Sequence, residues 1–235
     1  MRKFFVKDQA KDLHTQYGFI KKDDFKKASG SLVATNTGKE MLILKPSFID
    51  IFRKIKRGAQ IIPRKDLGAI ITETGINDKS VVADAGSGSG ALACYLGHLC
   101  KEVHTFDIRD DHLDIVKHNI DFLGLSNITV AKHDVYESIP VKNADLITLD
   151  LPEPWKAVGN AVKSLKVGGF LVSYSPSIPQ ASDLIEEIRL NDSLIYIKSI
   201  EILEREWEFV QRKIRPKSQS IGHSGFMVFA RKIMK

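Results

Sequence analysis

The chain has 235 residues, 43% hydrophobic and 27% charged, an ordinary balance for a soluble globular protein. That length buries one good-sized core with a small appendage, and no apolar run approaches the roughly 20 residues needed to span a bilayer. Two cysteines exclude a disulfide framework, and charge returns early at Lys7, unlike a secretion signal, so a cytoplasmic place away from membranes is expected. The net charge of +6 suits a polyanionic partner. It gathers in two groups: Arg53, Lys54, Lys56, Arg57, Arg64 and Lys65, then Arg205, Arg212, Lys213, Arg215 and Lys217.

In chain order, residues 31–35 and 40–44 flank the turn-forming Asn36-Thr37-Gly38-Lys39 and read as a hairpin. Phe48, Ile49, Phe52 and Ile55 then recur at helical spacing. Residues 1–50 are expected to form a small β-rich domain, and 51–235 a second one. In the second, strands at 81–84, 103–108, 128–131, 144–149 and 170–174 alternate with helices at 91–99, 110–123, 157–165 and 180–189. Gly168-Gly169 is expected to stop the third of these helices. Strands at 200–210 and 225–230 close the chain. This rhythm predicts a doubly wound, Rossmann-like α/β fold with a parallel sheet, whose ligands bind at the carboxyl ends of the strands.

The loop between the first strand and helix reads Asp84-Ala85-Gly86-Ser87-Gly88-Ser89-Gly90, with Ala91 opening the helix. A dinucleotide loop would read G-x-G-x-x-G, whereas this one is G-x-G-x-G behind a carboxylate. A carboxylate at the mouth disfavours phosphate and suits the cationic amino and sulfonium groups of S-adenosylmethionine. Asp107, ending the next strand, can accept both ribose hydroxyls, and His112 can lean over the same ribose. Asp134 can accept from an adenine amine, with the Val135 amide facing the ring. No His or Cys pair has metal-ligand spacing, so no metal is expected.

After the fourth strand comes Asp150-Leu151-Pro152-Glu153-Pro154-Trp155. A carboxylate, two stiffening prolines and an aromatic ring suit a flat base bearing an amine. His223 starts a closing strand near the same sheet edge, and Arg205 belongs to the second basic group.

These motifs, with the upstream run Lys56-Arg57-Gly58-Ala59-Gln60-Ile61-Ile62-Pro63-Arg64-Lys65-Asp66 and the closing His223-Ser224-Gly225-Phe226, resemble the tRNA (adenine-N1)-methyltransferases that modify the T-loop at position 58. The resemblance runs from about Pro46 to the C-terminus. It implies a class I S-adenosylmethionine methyltransferase domain, a tRNA substrate and a homotetramer. It also implies that the upstream run covers the cofactor, making Gln60, Ile61, Ile62 and Asp66 candidate contacts. The expected cofactor set is then Gln60, Ile61, Ile62, Asp84, Gly86, Ser87, Gly88, Ser89, Gly90, Ala91, Asp107, His112, Asp134, Val135 and Asp150. Asp150 is the expected catalytic group, with Pro152, Trp155, Arg205 and His223 on the substrate side. The rival readings are a class I enzyme for a protein carboxylate, a tetrapyrrole or a small molecule, and a tRNA-binding subunit without catalysis.

Overall fold

The computed structural model describes residues 3–219 and 221–234. The chain divides into two compact units, Met1–Arg53 and Lys54–Lys235. The first unit is built from short antiparallel pairs. Strands β1 (Leu13–Thr15) and β2 (Gly18–Ile20) form one, and a 3-10 turn (Lys22–Lys26) leads to the second, β3 (Leu32–Ala34) with β4 (Glu40–Leu42). The second pair is the expected hairpin, closed by the Gly38 amide donating to the Thr35 carbonyl. The helix expected from Phe48 is shorter than its apolar spacing suggested: α1 spans Phe48–Phe52, capped by a Ser47–Asp50 box, and Ile55 lies beyond it.

The second unit carries α2 (Arg64–Thr74), β5 (Val81–Ala85), α3 (Ala91–Leu99), β6 (Glu102–Asp107), α4 (Asp110–Leu123), β7 (Ile128–Lys132) and β8 (Ala144–Leu149). A 3-10 turn (Pro154–Ala157) leads to α5 (Val158–Ser164), β9 (Leu165–Ser175), α6 (Ile178–Arg189), β10 (Leu194–Ile200), β11 (Trp207–Val210), β12 (Lys213–Pro216) and β13 (Phe226–Lys232). The main sheet has the order β10-β13-β9-β8-β5-β6-β7. Strands β9, β8, β5, β6 and β7 run parallel, as the alternation predicted. β13 departs from this. It enters between β9 and β10 and is antiparallel to both, because the chain returns from β10 through a hairpin rather than a crossover helix.

Helix α4 shows why the pattern was readable: Leu113, Val116 and Ile120 recur on one face and are buried, and Gly124 ends the helix in the left-handed region. Two expectations are corrected. α5 ends at Ser164, and Gly168-Gly169 lie inside β9, at an irregularity in its pairing with β8. The carbonyls of Val162 and Leu165 accept instead from the buried Lys232 ammonium, a cation satisfying a helix end. The strand expected at 200–210 is two strands separated by residues 201–206, where charged residues break the apolar alternation. Helix α2, the body of β10 before Ile200, and β12 are not among the expected elements.

Candidate active site

The sheet reverses its winding between β5 and β8, and such switch points open a crevice at the carboxyl ends of the strands. Asp84, near the end of β5, and Asp150, just after β8, stand on either side, and the Asp150 amide donates to the Ala85 carbonyl at 2.9 Å. The glycine loop turns between them. Gly86 has φ +96°, and a Cβ there would fall 2.2 Å from the Asp150 carbonyl oxygen, so only glycine fits. Gly88 also has positive φ, +52°, but a Cβ would meet only the Ala59 methyl at 3.5 Å.

Asp84 is not at the mouth as expected. It lies 1% exposed beneath the loop, where Oδ2 accepts from Thr105 Oγ1 at 2.7 Å and Oδ1 from Thr148 Oγ1 at 2.8 Å. Burial nevertheless raises its pKa to about 6, against the lowering effect of the two threonines. Burial, reinforced by the charge of Asp84, also raises Asp150 to about 7.

Gln60, Ile61 and Ile62 line this crevice together with Asp84, Gly86, Ser87, Gly88, Ser89, Ala91 and Asp150. Leu92, which the sequence reading missed, completes the set. The free volume left in the crevice is about 20 Å³, less than one water's share of liquid volume. Two carboxylates and no basic side chain line it, a donor set that fits a cation such as the sulfonium of S-adenosylmethionine and repels phosphate.

Other expected cofactor residues stand outside that lining. Gly90 holds the N-terminal cap position of α3. Asp107 already accepts three protein bonds, from the Gly88 amide and His112 Nδ1 on Oδ2 and from the Arg109 amide on Oδ1. With about four acceptor positions on a carboxylate, it can no longer bind two hydroxyls through both oxygens without giving up a protein partner. His112 is therefore a partner of Asp107 first. Asp134 Oδ1 closes a turn onto the Tyr136 amide, and Val135 is buried with its carbonyl on Asn160.

The substrate-side residues are scattered. Pro152 is exposed, but its carbonyl accepts from Gln180 Nε2, and Trp155 is half-buried in the 3-10 turn. Arg205 is exposed in the 201–206 segment, its guanidinium 5.7 Å from the Trp207 ring. His223 is a clip: Nδ1 meets Glu201 at 2.6 Å and Nε2 the Pro176 carbonyl at 2.9 Å, and the Glu201 bond raises its pKa. The basic groups are likewise partly spent, since Lys65 pairs with Asp66, Lys217 with Glu206 and Arg215 with Glu208. A second cavity, of about 550 Å³, opens beside Pro63 and Lys65, walled by Glu204, Glu206, Glu208 and Lys217.

Thr105 and Thr148 were missed as site residues. A lone hydroxyl in the apolar run Ile147-Thr148-Leu149, two residues before Asp150, was the available signal. Among the described residues, no cluster of metal-ligating side chains occurs and no helix is long and apolar enough to cross a membrane.

Compared with known proteins, residues 52–218 match the family described as tRNA methyltransferase complex GCD14 subunit. The chain belongs to the GCD14 family. The GCD14 match takes in the covering segment, the glycine loop, Asp107 and Asp150. A curated relative from Methanocaldococcus jannaschii, named tRNA (adenine(57)-N(1)/adenine(58)-N(1))-methyltransferase TrmI, is 30% identical over 98% of this chain and 91% of its own. Among solved structures, an S-adenosylmethionine-dependent O-methyltransferase from Thermotoga maritima superposes with a TM-score of 0.86 at 28% identity, covering 97% of this chain and 87% of that one. The tRNA (m1A58) methyltransferase TrmI of Aquifex aeolicus gives 0.80 at 25% identity, covering 96% and 90%. The fold of this GCD14 member is thus that of the class I S-adenosylmethionine methyltransferases.

Proposed function

We propose that the chain transfers a methyl group from S-adenosylmethionine to N1 of adenine 58 in the T-loop of tRNA. The observation that carries this reading is the pair of desolvated carboxylates, Asp84 and Asp150, at the switch point of a crevice without basic side chains. The names of the Methanocaldococcus and Aquifex relatives supply the target.

When bound, S-adenosylmethionine supplies an electrophilic methyl group on a cationic sulfur. The residues lining the crevice, with Asp107, His112, Asp134 and Val135 at the neighbouring strand ends, are the proposed holders. Adenine N1 carries its own lone pair, so no base is needed to expose it. Asp150, as a carboxylate, accepts a hydrogen bond from the exocyclic amine and offsets the positive charge that the methylated ring acquires. A T-loop adenine must leave its stack to reach the site. The cavity beside Pro63 adjoins the covering segment, and its glutamates suit the amino edge of a base. Trp155 and Arg205 remain the proposed outer contacts for tRNA, with Pro152 shaping the exit from β8. His223 is withdrawn from direct contact because both ring nitrogens are engaged.

We further propose a cytoplasmic homo-oligomer. Trp207, Phe209, Val210 and Ile214 are exposed together on the β11–β12 hairpin, an apolar surface of the kind that a second copy covers. The raised pKa of Asp150 also favours a second reading, in which it serves as a base for O-methylation, the activity named for the Thermotoga relative. Labelled methyl transfer to an unmodified tRNA transcript, beside one carrying guanine at position 58, tests the main reading. Transfer to the first alone supports it; equal transfer to both overturns it.

A further inference from the structure

The segment over the crevice is pinned at both ends by side-chain hydrogen bonds within the protein. At the upstream end, buried Asn119 of α4 accepts from the Lys56 amide and donates to the Lys56 and Ser89 carbonyls. Ser89 Oγ accepts from the Gly58 and Ala59 amides at 2.9 and 3.0 Å. Its side chain, expected to face the cofactor, is thus spent on the cover. These are neutral bonds.

The downstream end is different. Asp66, in the first turn of α2, is fully buried, with a relative exposure of 0%. Its Oδ1 accepts from Lys65 Nζ at 2.7 Å, and its Oδ2 from Ser224 Oγ at 2.8 Å and from the Tyr174 hydroxyl at 3.3 Å. Lys65 Nζ also donates to Ser224 at 2.5 Å. Tyr174 lies near the end of β9, one residue past Ser173, which pairs with Leu149; Ser224 immediately precedes the approach to β13. Both partners therefore belong to the sheet edge that carries Asp150. Burial raises the Tyr174 phenol, with the Asp66 charge and, least of the causes, the Asp150 charge adding to the effect.

A buried ion pair is a costly way to hold a helix, because an apolar pair of the same volume often stabilises more. What it adds is a single geometry, in which Lys65 bridges Asp66 and Ser224. Here that geometry fixes the first turn of α2, which follows Gln60, Ile61 and Ile62 after the Pro63 cap.

We infer that Asp66 is a positioning residue for methyl transfer: through Lys65, Ser224 and Tyr174 it holds Gln60, Ile61 and Ile62 against the strand ends beside Asp150, touching neither cofactor nor target. The inference rests on the cofactor reading above.

Asp66→Asn alone leaves the largely covered Lys65 ammonium without a counter-charge and risks unfolding, so the informative variant is the neutral pair Lys65→Gln with Asp66→Asn. Ser224→Ala, which keeps the ion pair, is the milder companion. Hydrogen exchange of residues 58–62 in the free protein and calorimetric titration with S-adenosylmethionine read the effect without tRNA. The neutral pair is expected to exchange faster over this segment and to bind about tenfold more weakly, with a smaller effect for Ser224→Ala. KM for the cofactor should rise more than kcat falls. A merely structural role would lower the active fraction, seen as reduced apparent kcat at unchanged affinity and exchange, and that result overturns the inference. Failure of the wild type to bind S-adenosylmethionine would instead overturn the cofactor reading, while exchange in the free protein would still decide whether Asp66 anchors the cover.

Discussion

The main-chain amide of Asp150 is bonded to Ala85, the neighbour of Asp84, in a crevice where burial first, and the Asp84 charge second, raise the pKa of Asp150 to about 7. In the free protein near neutrality Asp150 is thus divided between its neutral and charged forms. Only the charged form accepts the amine bond and offsets a cationic ring. Methyl transfer measured as kcat/KM is expected to rise with pH and level off above about 7, falling roughly tenfold per unit well below it. A profile flat from pH 5.5 to 8.5 would show that Asp150 does not titrate in the working enzyme.

Asp84 carries the complementary prediction for stability. Its folded pKa, about 6, lies above the ordinary 3.8, so its stabilising proton is fully present below the ordinary value and lost as pH rises through about 6. At pH 8 the free protein holds a buried charge at a cost on the order of 3 kcal/mol. Asp84→Asn is expected to keep or raise the melting temperature at pH 8 while weakening S-adenosylmethionine binding. Calorimetry of the free and titrated protein checks both; an unchanged affinity would remove Asp84 from cofactor binding.

Asp150→Ala tests the chemistry rather than the cofactor. Turnover is expected to drop by about 10²-fold or more, the scale seen for one preorganised electrostatic group, with cofactor binding partly retained. Wild-type turnover in a single-turnover assay would exclude Asp150 from the transition state.

The two loop glycines are not equivalent. Gly86→Ala drives a methyl group into the Asp150 carbonyl at positive φ, and is expected to abolish cofactor binding or folding. Gly88→Ala meets only ordinary contact with Ala59 and a milder φ of +52°, so it should fold and bind with reduced affinity. Thermal melting and titration of the two variants side by side give the comparison.

Where apolar periodicity and caps agreed, the sequence was a sufficient guide: α3 and α4 occupy the expected residues, as does β8, and the loop and Asp150 meet at one crevice. The errors at the site and at the end of α5 share a cause, because each turned on a partner distant in the chain. Lys232, 67 residues beyond Leu165, does the work expected of Gly168-Gly169. Asp84 looked like a surface carboxylate because nothing local announces Thr105 and Thr148 beneath the loop. His223 looked poised for substrate because its partners, Glu201 and Pro176, come from two other segments. Lys65 read as part of a basic patch, although its neighbour Asp66 and remote Ser224 engage its ammonium.

The most direct measurement is mass mapping of modified nucleosides in an unmodified tRNA after incubation with the protein and S-adenosylmethionine. One methyl group as 1-methyladenosine at position 58, absent with Asp150→Ala, is the expected result. Methylation of a ribose oxygen, or none on tRNA while the protein still consumes the cofactor on another acceptor, would contradict the assignment.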